Sequence, residues 1–369
     1  MSVSVKPGTQ NKPSVWILSG FKAGDTAQMR ALADALGWGY DTKHLVYRST
    51  ELLSNRFLGV TLAGIDRCRS SALQPPWPDL VITAGRRNEP VARWIKRQSR
   101  GQSKVVHLGR PWSPVRCFDL VVTTPQYFVP AAGNVLEVDL PLHGVTKTRL
   151  ASWRQTWQGS FADLSRPLWA VLLGGDSGPF VFTRQKAIRL ASWLNDRLAK
   201  TGGTVVVSNS ARTPAAAYQA FLETLTAPVR AHHWRAGDDR NPYPGYLACS
   251  DHLVVTGESM SMLAEAVETG KPLYIFDMSD CPLAGPGGCR PWWRIAHNYR
   301  YKPLTHRLAM RFAPMRMKRD ISRIQQRLVA NGQAVWVGDD AAITPRQVHS
   351  SSLDRAAKRV RSMMTQKGP

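Results

Sequence analysis

Short apolar runs alternate with amphipathic stretches along most of the chain. Val15 to Ser19, Leu80 to Thr83, Val105 to Leu108, Leu120 to Thr123 and Val135 to Val138 are apolar-rich runs of strand length. Apolar residues at successive positions predict strands covered on both faces, the pattern of a parallel sheet between helices. After the first run, Gly20 to Asp25 forms a Gly-bearing loop, and Met29, Leu32, Ala33 and Leu36 recur at helical spacing. Asp25 and Gln28 have the spacing of a capping box, which predicts a helix start; Asp25 is also a carboxylate just past a strand's C-terminal end. After Leu80 to Thr83 come Gly85-Arg86-Arg87, then Asn88 as an N-cap, Glu89 as a first-turn acid and Pro90 as an early helical proline. Arg86 and Arg87 therefore stand on the edge where open α/β sheets bind ligands.

Thr146 to Arg166 holds few strand formers and reads as a connection between domains, after which the alternation restarts. Trp169 to Leu173 precedes Gly174-Gly175-Asp176, and Thr183 to Lys200 is helical. Val205 to Val207 precedes Ser208-Asn209-Ser210-Ala211-Arg212, and Val229 to Trp234 precedes Asn241-Pro242-Tyr243. From Asp251 to Phe276 the pattern is strand, turn at Gly257, helix, stop at Gly270-Lys271-Pro272, and strand. A helix that follows a parallel strand directs its free N–H groups and positive dipole end toward the sheet's C-terminal edge, where a phosphate docks. Ser259, as N-cap, and Ser261 add hydroxyls there. Glu265 lies about one and a half turns on, placed to accept from ribose hydroxyls. The same spacing also serves a plain capped helix with an exposed Glu. Gly174, Gly175, Ser208, Ser210, Arg212, Asn241, Ser259, Met260, Ser261 and Glu265 form the candidate nucleotide-sugar set.

At 369 residues the chain exceeds one ordinary core, so two domains are expected. The boundaries are 14–145, a linker at 146–166, 167–300, and a basic segment at 301–369 that is helical and returns towards the N-terminal domain. The five Cys are dispersed without a CxxC pair, which indicates neither a disulfide framework nor a zinc site. Met1 to Pro13 is polar and no run of about 18 apolar residues occurs, so a cytoplasmic chain without a membrane span is expected. The formal charge of +23 calls for an anionic partner. Between Trp292 and Arg327 basic residues are interleaved with Trp293, Leu308, Phe312 and Met315 against the single acid Asp320, which suits peripheral attachment to an anionic inner membrane. Nucleic acid ranks lower, because no binding motif accompanies the charge. No Gly-x-Gly-x-x-Gly fingerprint, Walker motif or Asp-x-Asp pair stands out, so no cofactor and no metal are expected.

Asn241-Pro242-Tyr243 with Asp251 to Phe276, Ser210-x-Arg212-Thr213-Pro214, Gly85-Arg86-Arg87, and Gly133-Asn134-Val135-Leu136 leading to Leu142-His143-Gly144 together resemble the bacterial glycosyltransferase-like family related to the plant elongated-mitochondria fission factor. The match runs from Val15 to Gly338. The Asp251 to Phe276 unit is also similar, more distantly, to the nucleotide-sugar site of GT-B enzymes that build lipid II and the lipopolysaccharide inner core. The resemblance implies a GT-B-like α/β architecture, two Rossmann-like domains with parallel sheets facing a central cleft, acceptor on the first and donor on the second. Carried over from the resemblance, Ser259, Ser261 and Glu265 hold the donor diphosphate and ribose and Arg212 neutralises phosphate. The leading expectation is an inverting, metal-independent transferase moving a sugar from a nucleoside diphosphate sugar to a lipid-linked or envelope acceptor, with Arg86, Arg87 and His143 as candidates for acceptor or phosphate contact. Asp25, then Glu89, are the candidate catalytic bases. Members often carry a His-Asp pair where Pro125 to Phe128 stands and an Arg where Ala211 stands. A membrane-surface adaptor that has kept the fold, and a sugar-nucleotide epimerase, are the alternative readings.

Overall fold

The apolar runs become parallel strands, and they sort into two sheets of six. The computed structural model describes residues 12–20, 22–52, 55–279, 308, 311–315, 318–339 and 351–365, and these fall into two units. The first sheet is ordered β2-β1-β3-β4-β5-β6, from β1 (Val15–Ser19), β2 (Tyr40–His44), β3 (Leu80–Ala84), β4 (Lys104–Leu108), β5 (Leu120–Thr123) and β6 (Val135–Glu137). Every pairing is parallel. Strand periodicity divides β1 between the faces. Val15 and Ile17 pack with Met29, Leu32 and Leu36 of α1 (Ala23–Leu36), while Trp16 and Leu18 pack with Val91 and Ile95 of α3 (Glu89–Gln98). A short α2 (Asn55–Leu58) lies between β2 and β3. β2 has no apolar run; its Tyr-Asp-Thr-Lys-His sequence is accommodated because it is an edge strand, paired on one side.

The stretch expected as a bare linker instead forms α4 (Lys147–Trp157), whose N-cap Thr146 accepts from the Arg149 amide at 3.2 Å. It belongs to the second unit, where the Trp157 ring packs so tightly on Gly245 that a Cβ there would overlap it. This unit continues with β7 (Leu168–Leu172), α5 (Arg184–Thr201), β8 (Thr204–Ser208), α6 (Ala215–Thr224), β9 (Val229–His232), α7 (Tyr243–Cys249), β10 (His252–Thr256), α8 (Met260–Glu268), β11 (Leu273–Phe276), α9 (Ser322–Ala330) and β12 (Val335–Trp336). Its order is β12-β11-β10-β7-β8-β9, again all parallel. α7 is held by its C-terminal end. Lys271 Nζ donates to Leu247 O (2.7 Å), Arg154 Nε to Ala248 O (3.2 Å) and Arg166 Nη2 to Cys249 O (3.3 Å), cations placed where a helix exposes its last carbonyls.

The last described helix, α10 (Ser352–Thr365), belongs to the first unit. Leu353, Ala356, Ala357 and Val360 recur at helical spacing and join the core around α1, and Arg355 pairs with Asp139 at 3.2 Å. Most of the basic segment from Trp292 to Met317 lies outside the described residues. Both units are Rossmann-like, with doubly wound parallel sheets as the pattern predicts. In each, the first strand has its chain successor on one side and a later strand on the other: β2 and β3 flank β1, β8 and β10 flank β7. The loops after these strands turn away in opposite directions and open a crevice at the carboxyl edge, between β1 and β3 and between β7 and β10.

Candidate functional site

Three loops of the second unit meet at the β7/β10 crevice. Directly after β7 the chain turns through Gly174 and Gly175, the latter at φ +142°, in a space that admits no side chain. A Cβ on Gly174 would overlap Glu258 Oε1, and one on Gly175 would overlap the Arg212 carbonyl. Both glycine amides are used internally: Gly174 N donates to Thr256 Oγ1 (2.8 Å) and Gly175 N to Glu258 Oε1 (2.6 Å). The Gly174 carbonyl accepts short hydrogen bonds from the hydroxyls of Ser210 and Thr213. Ser208 is buried, its hydroxyl donating to the Asn209 carbonyl at 3.3 Å. Gly174, Gly175, Ser208 and Ser210, expected to present groups to a phosphate, have these groups engaged within the unit and build the floor of the crevice, as buried polar groups find partners nearby.

What the crevice does present comes from α8 and from Arg212. Ser259 occupies the N-cap position, yet its side chain makes no cap hydrogen bond, which corrects the expected capping role. The first-turn N–H groups of Met260, Ser261 and Met262, which no intrahelical carbonyl can reach, are therefore not satisfied by Ser259. Met260 itself is buried and packs as core, while Ser261 is exposed. The Arg212 guanidinium is exposed; Nη1 donates to Asp176 O (3.2 Å) and Nη2 lies 3.8 Å from Glu258 Oε1. Glu265 Oε2 accepts a short hydrogen bond from the Tyr243 hydroxyl, and Asn241 Oδ1 accepts from the Tyr243 amide (3.0 Å), so Asn241 braces the turn before α7, whose N-cap is Pro242, and Tyr243 orients Glu265. Burial pushes the Glu265 carboxyl up, opposed by the Tyr243 hydrogen bond, and burial beside Glu265 pushes the Tyr243 phenol well up.

Glu258, Thr256, Thr213 and Tyr243 were not among the expected site residues. Glu258 is 2% exposed. Burial raises its carboxyl to about 7, against the lowering effects of Arg212, the Gly175 amide and Thr256. Its Oε2 has no hydrogen-bond partner among the described residues. The one sequence signal for it was an acid placed next to a turn glycine between an apolar strand and a helix start, where a solvent-facing residue is the ordinary expectation.

In the first unit, Asp25 lies at the β1/β3 crevice. It is the third residue of α1, whose N-cap is Lys22 and lacks any side-chain cap, so the expected capping box does not form. Asp25 Oδ2 stands 3.1 Å from where a Cβ on Gly85 would project, and Gly85 is at φ +76°, so Asp25 is partly exposed beside the opening of the Gly-Arg-Arg turn. The Arg86 guanidinium lies over the Trp112 ring (5.7 Å) and that of Arg87 over Tyr47 (5.5 Å). His143 is buried. Glu89, expected as a helix-start acid or base, is completely buried and accepts from Asn55 Nδ2 (2.9 Å), Trp112 N (2.7 Å) and Ser113 N (2.8 Å), with His107 Nε2 at 3.4 Å. Burial acts to raise its carboxyl, but His107 and the two amides together outweigh it and hold it below the ordinary value. A carboxylate this enclosed ties three loops together and cannot reach a substrate hydroxyl.

Mitochondrial fission protein ELM1 of Arabidopsis thaliana is 28% identical over 246 residues, covering 61% of this chain and 57% of its own length, so the chain spans little more than half of that relative. Protein RP120 of Rickettsia prowazekii (strain Madrid E) is 25% identical over 296 residues, covering 71% of this chain and 83% of its own. Among solved structures, MurG of Acinetobacter baumannii overlays with a TM-score of 0.42 at 13% identity, over 96% of this chain and 93% of that one. A UDP-glucosyltransferase of Polygonum tinctorium overlays with a TM-score of 0.46 at 11% identity, over 98% and 100%. Overlays this loose assign no residue a role. The family model described as mitochondrial fission ELM1 matches residues 23–285, and the chain belongs to that family.

Proposed function

We propose that the chain is an inverting glycosyltransferase that moves a sugar from a nucleoside diphosphate sugar to a lipid-linked or cell-envelope acceptor at the inner membrane. One observation carries this reading: the β7/β10 crevice brings the uncapped first turn of α8, the exposed Arg212 guanidinium and a Glu265 oriented by Tyr243 to one sheet edge. The α8 N–H groups and Arg212 take the diphosphate, and Glu265 takes ribose hydroxyls through Oε1. As the anomeric carbon–oxygen bond breaks, negative charge grows on the leaving diphosphate, where Arg212 and the helix dipole oppose it. Positive charge from the chain does there what a divalent metal does elsewhere. Asp25 of the first unit accepts the proton of the acceptor hydroxyl as its oxygen attacks. Arg86 and Arg87 sit on the same edge of that unit.

Calorimetric titration of the full chain with uridine, adenosine, guanosine and cytidine diphosphates tests the donor site. One of them binds, and Arg212→Ala weakens it about tenfold or more, the loss of a charged hydrogen bond of about 1.5–3 kcal/mol. If none binds, the enzyme reading falls. Asp25→Asn lowers turnover about 10²- to 10⁴-fold with nucleotide binding unchanged; turnover at the wild-type rate returns Asp25 to a purely structural place in α1.

A second reading, an adaptor at an anionic membrane surface, is favoured by Phe312, 74% exposed, with Leu308 and Met315 also exposed and Arg311 over the Phe312 ring. Apolar side chains beside basic ones suit lipid headgroups. The nucleotide titration separates the two, because the adaptor has no need of a donor.

A further inference from the structure

Glu258 is a carboxylate set behind the place where the proposed donor puts its diphosphate. Two like-charged groups side by side in a desolvated crevice repel strongly unless one is neutralised. We propose that the β7/β10 crevice binds its nucleoside diphosphate together with one proton, taken up by Glu258 as Arg212 turns from that carboxylate to the phosphate. The inference rests on the donor reading above and adds a regulation to it.

The geometry supports it from three sides. Glu258 is buried and cannot swing out: Oε1 is fixed by the Gly175 amide at 2.6 Å, and the Gly174 to Gly175 turn closes over it without room for a Cβ. Oε2 has no partner among the described residues, an expensive state for a charged oxygen and a milder one for an acid. Among the described residues the charged group that faces it is Arg212, at 3.8 Å from Oε1 and itself exposed enough to reach a ligand. The other described surroundings are neutral or turned away. Thr256 comes from β10, and the Asp176 carboxylate from the β7 loop accepts from the Phe182 amide at 3.0 Å. From α9, the Gln325 amide donates to Gly257 O at 2.7 Å. An anion in the crevice draws away the cation that faces the ionised form among the described residues, leaving it the Gly175 amide and Thr256, and adds a repulsive charge, so binding and protonation favour each other, and by linkage each strengthens the other equally.

With the carboxyl titrating near 7 in the unliganded protein, the competent form is about nine-tenths populated at pH 6 and about one-tenth at pH 8. Affinity therefore falls about tenfold across that range. Glu258→Gln keeps the shape and the acceptor for Gly175 but has no proton to exchange. The experiment is calorimetry of the full chain with the four nucleoside diphosphates at pH 6, 7 and 8, in HEPES and in Tris, whose ionisation enthalpies differ. The expected result is uptake of about half a proton per nucleotide at pH 7 beyond the free nucleotide's own titration. In Glu258→Gln this uptake is lost and the tenfold dependence is flattened. Binding without that uptake, or with the same uptake in Glu258→Gln, overturns the inference and leaves the donor site standing. No binding at any pH overturns the donor reading and this one with it. The wild-type proton count decides the matter alone if the variant does not fold.

Discussion

Glu89 and Glu258 occupy matching places, each just past the strand that flanks the crevice of its own sheet, and their surroundings could hardly differ more. Glu89 collects an amide of Asn55, two backbone N–H groups and an imidazole, and its carboxyl is held below the ordinary value. Glu258 accepts one close hydrogen bond, from the Gly175 amide at 2.6 Å, with weaker help from its own amide and Thr256; it faces an arginine at 3.8 Å and has an oxygen without a partner among the described residues, and its carboxyl is raised to about 7. The same residue type in the same topological place is a finished knot in one unit and an incomplete site in the other. Number and nearness of donors decide which, since burial pushes both in the same direction.

The widest break in that comparison comes from Glu89→Ala. It strands His107, Asn55 and two amides inside the first unit, and the expected loss is about 3–5 kcal/mol of stability in urea titration. A loss below about 1 kcal/mol would show that the knot holds little.

The next is pH. Glu89, with its carboxyl lowered, contributes stability that is present above the unfolded-state value of 4.5 and disappears as pH falls through its folded-state value. Glu258 works the other way. Its folded-state value of about 7 lies above the unfolded 4.5, so its contribution falls as pH rises from 4.5 to 7, by about 3 kcal/mol, and is level beyond. Urea midpoints of Glu258→Gln and wild type should converge near pH 4 and separate towards pH 8, with the variant the more stable. Parallel curves would place the Glu258 carboxyl near its ordinary value.

A smaller effect is expected at the turn that covers Glu258. Gly174→Ala forces a methyl group onto its Oε1 and should cost about 1–3 kcal/mol of stability while abolishing nucleotide binding. Least is expected from Tyr243→Phe, about 1 kcal/mol for the hydrogen bond to Glu265, read as weaker binding of ribonucleotides with folding intact.

Much of the architecture was legible because a strand buried on both faces must be apolar at successive positions. β1, β5 and β11 fall at the bounds that the apolar runs predict, Val15–Ser19, Leu120–Thr123 and Leu273–Phe276. β2 was not legible, since an edge strand can be polar, and Thr146 to Arg166 hid a helix behind its lack of strand formers. At the site, spacing along one segment showed which residues stand at a strand's end. It did not show where their hydrogen bonds go. Gly174 and Ser210 look like phosphate ligands until the Gly174 amide is seen to donate to Thr256 at the end of β10 and the Ser210 hydroxyl to the Gly174 carbonyl, and Glu89 looks like a helix-start acid until residues 112 and 113 close over it. Glu258 is not legible as a site residue because nothing in Gly257-Glu258-Ser259 says that Arg212 and Gly175 lie beside it.

The central claim is that the crevice of the second unit, and not that of the first, takes the nucleoside diphosphate. Amide hydrogen exchange of the full chain, with and without saturating nucleotide, tests it directly. The account predicts slowed exchange in residues 257–265 and in the loops 173–178 and 208–213, with residues 85–90 unchanged. Protection of 85–90 with none at 257–265 would contradict it.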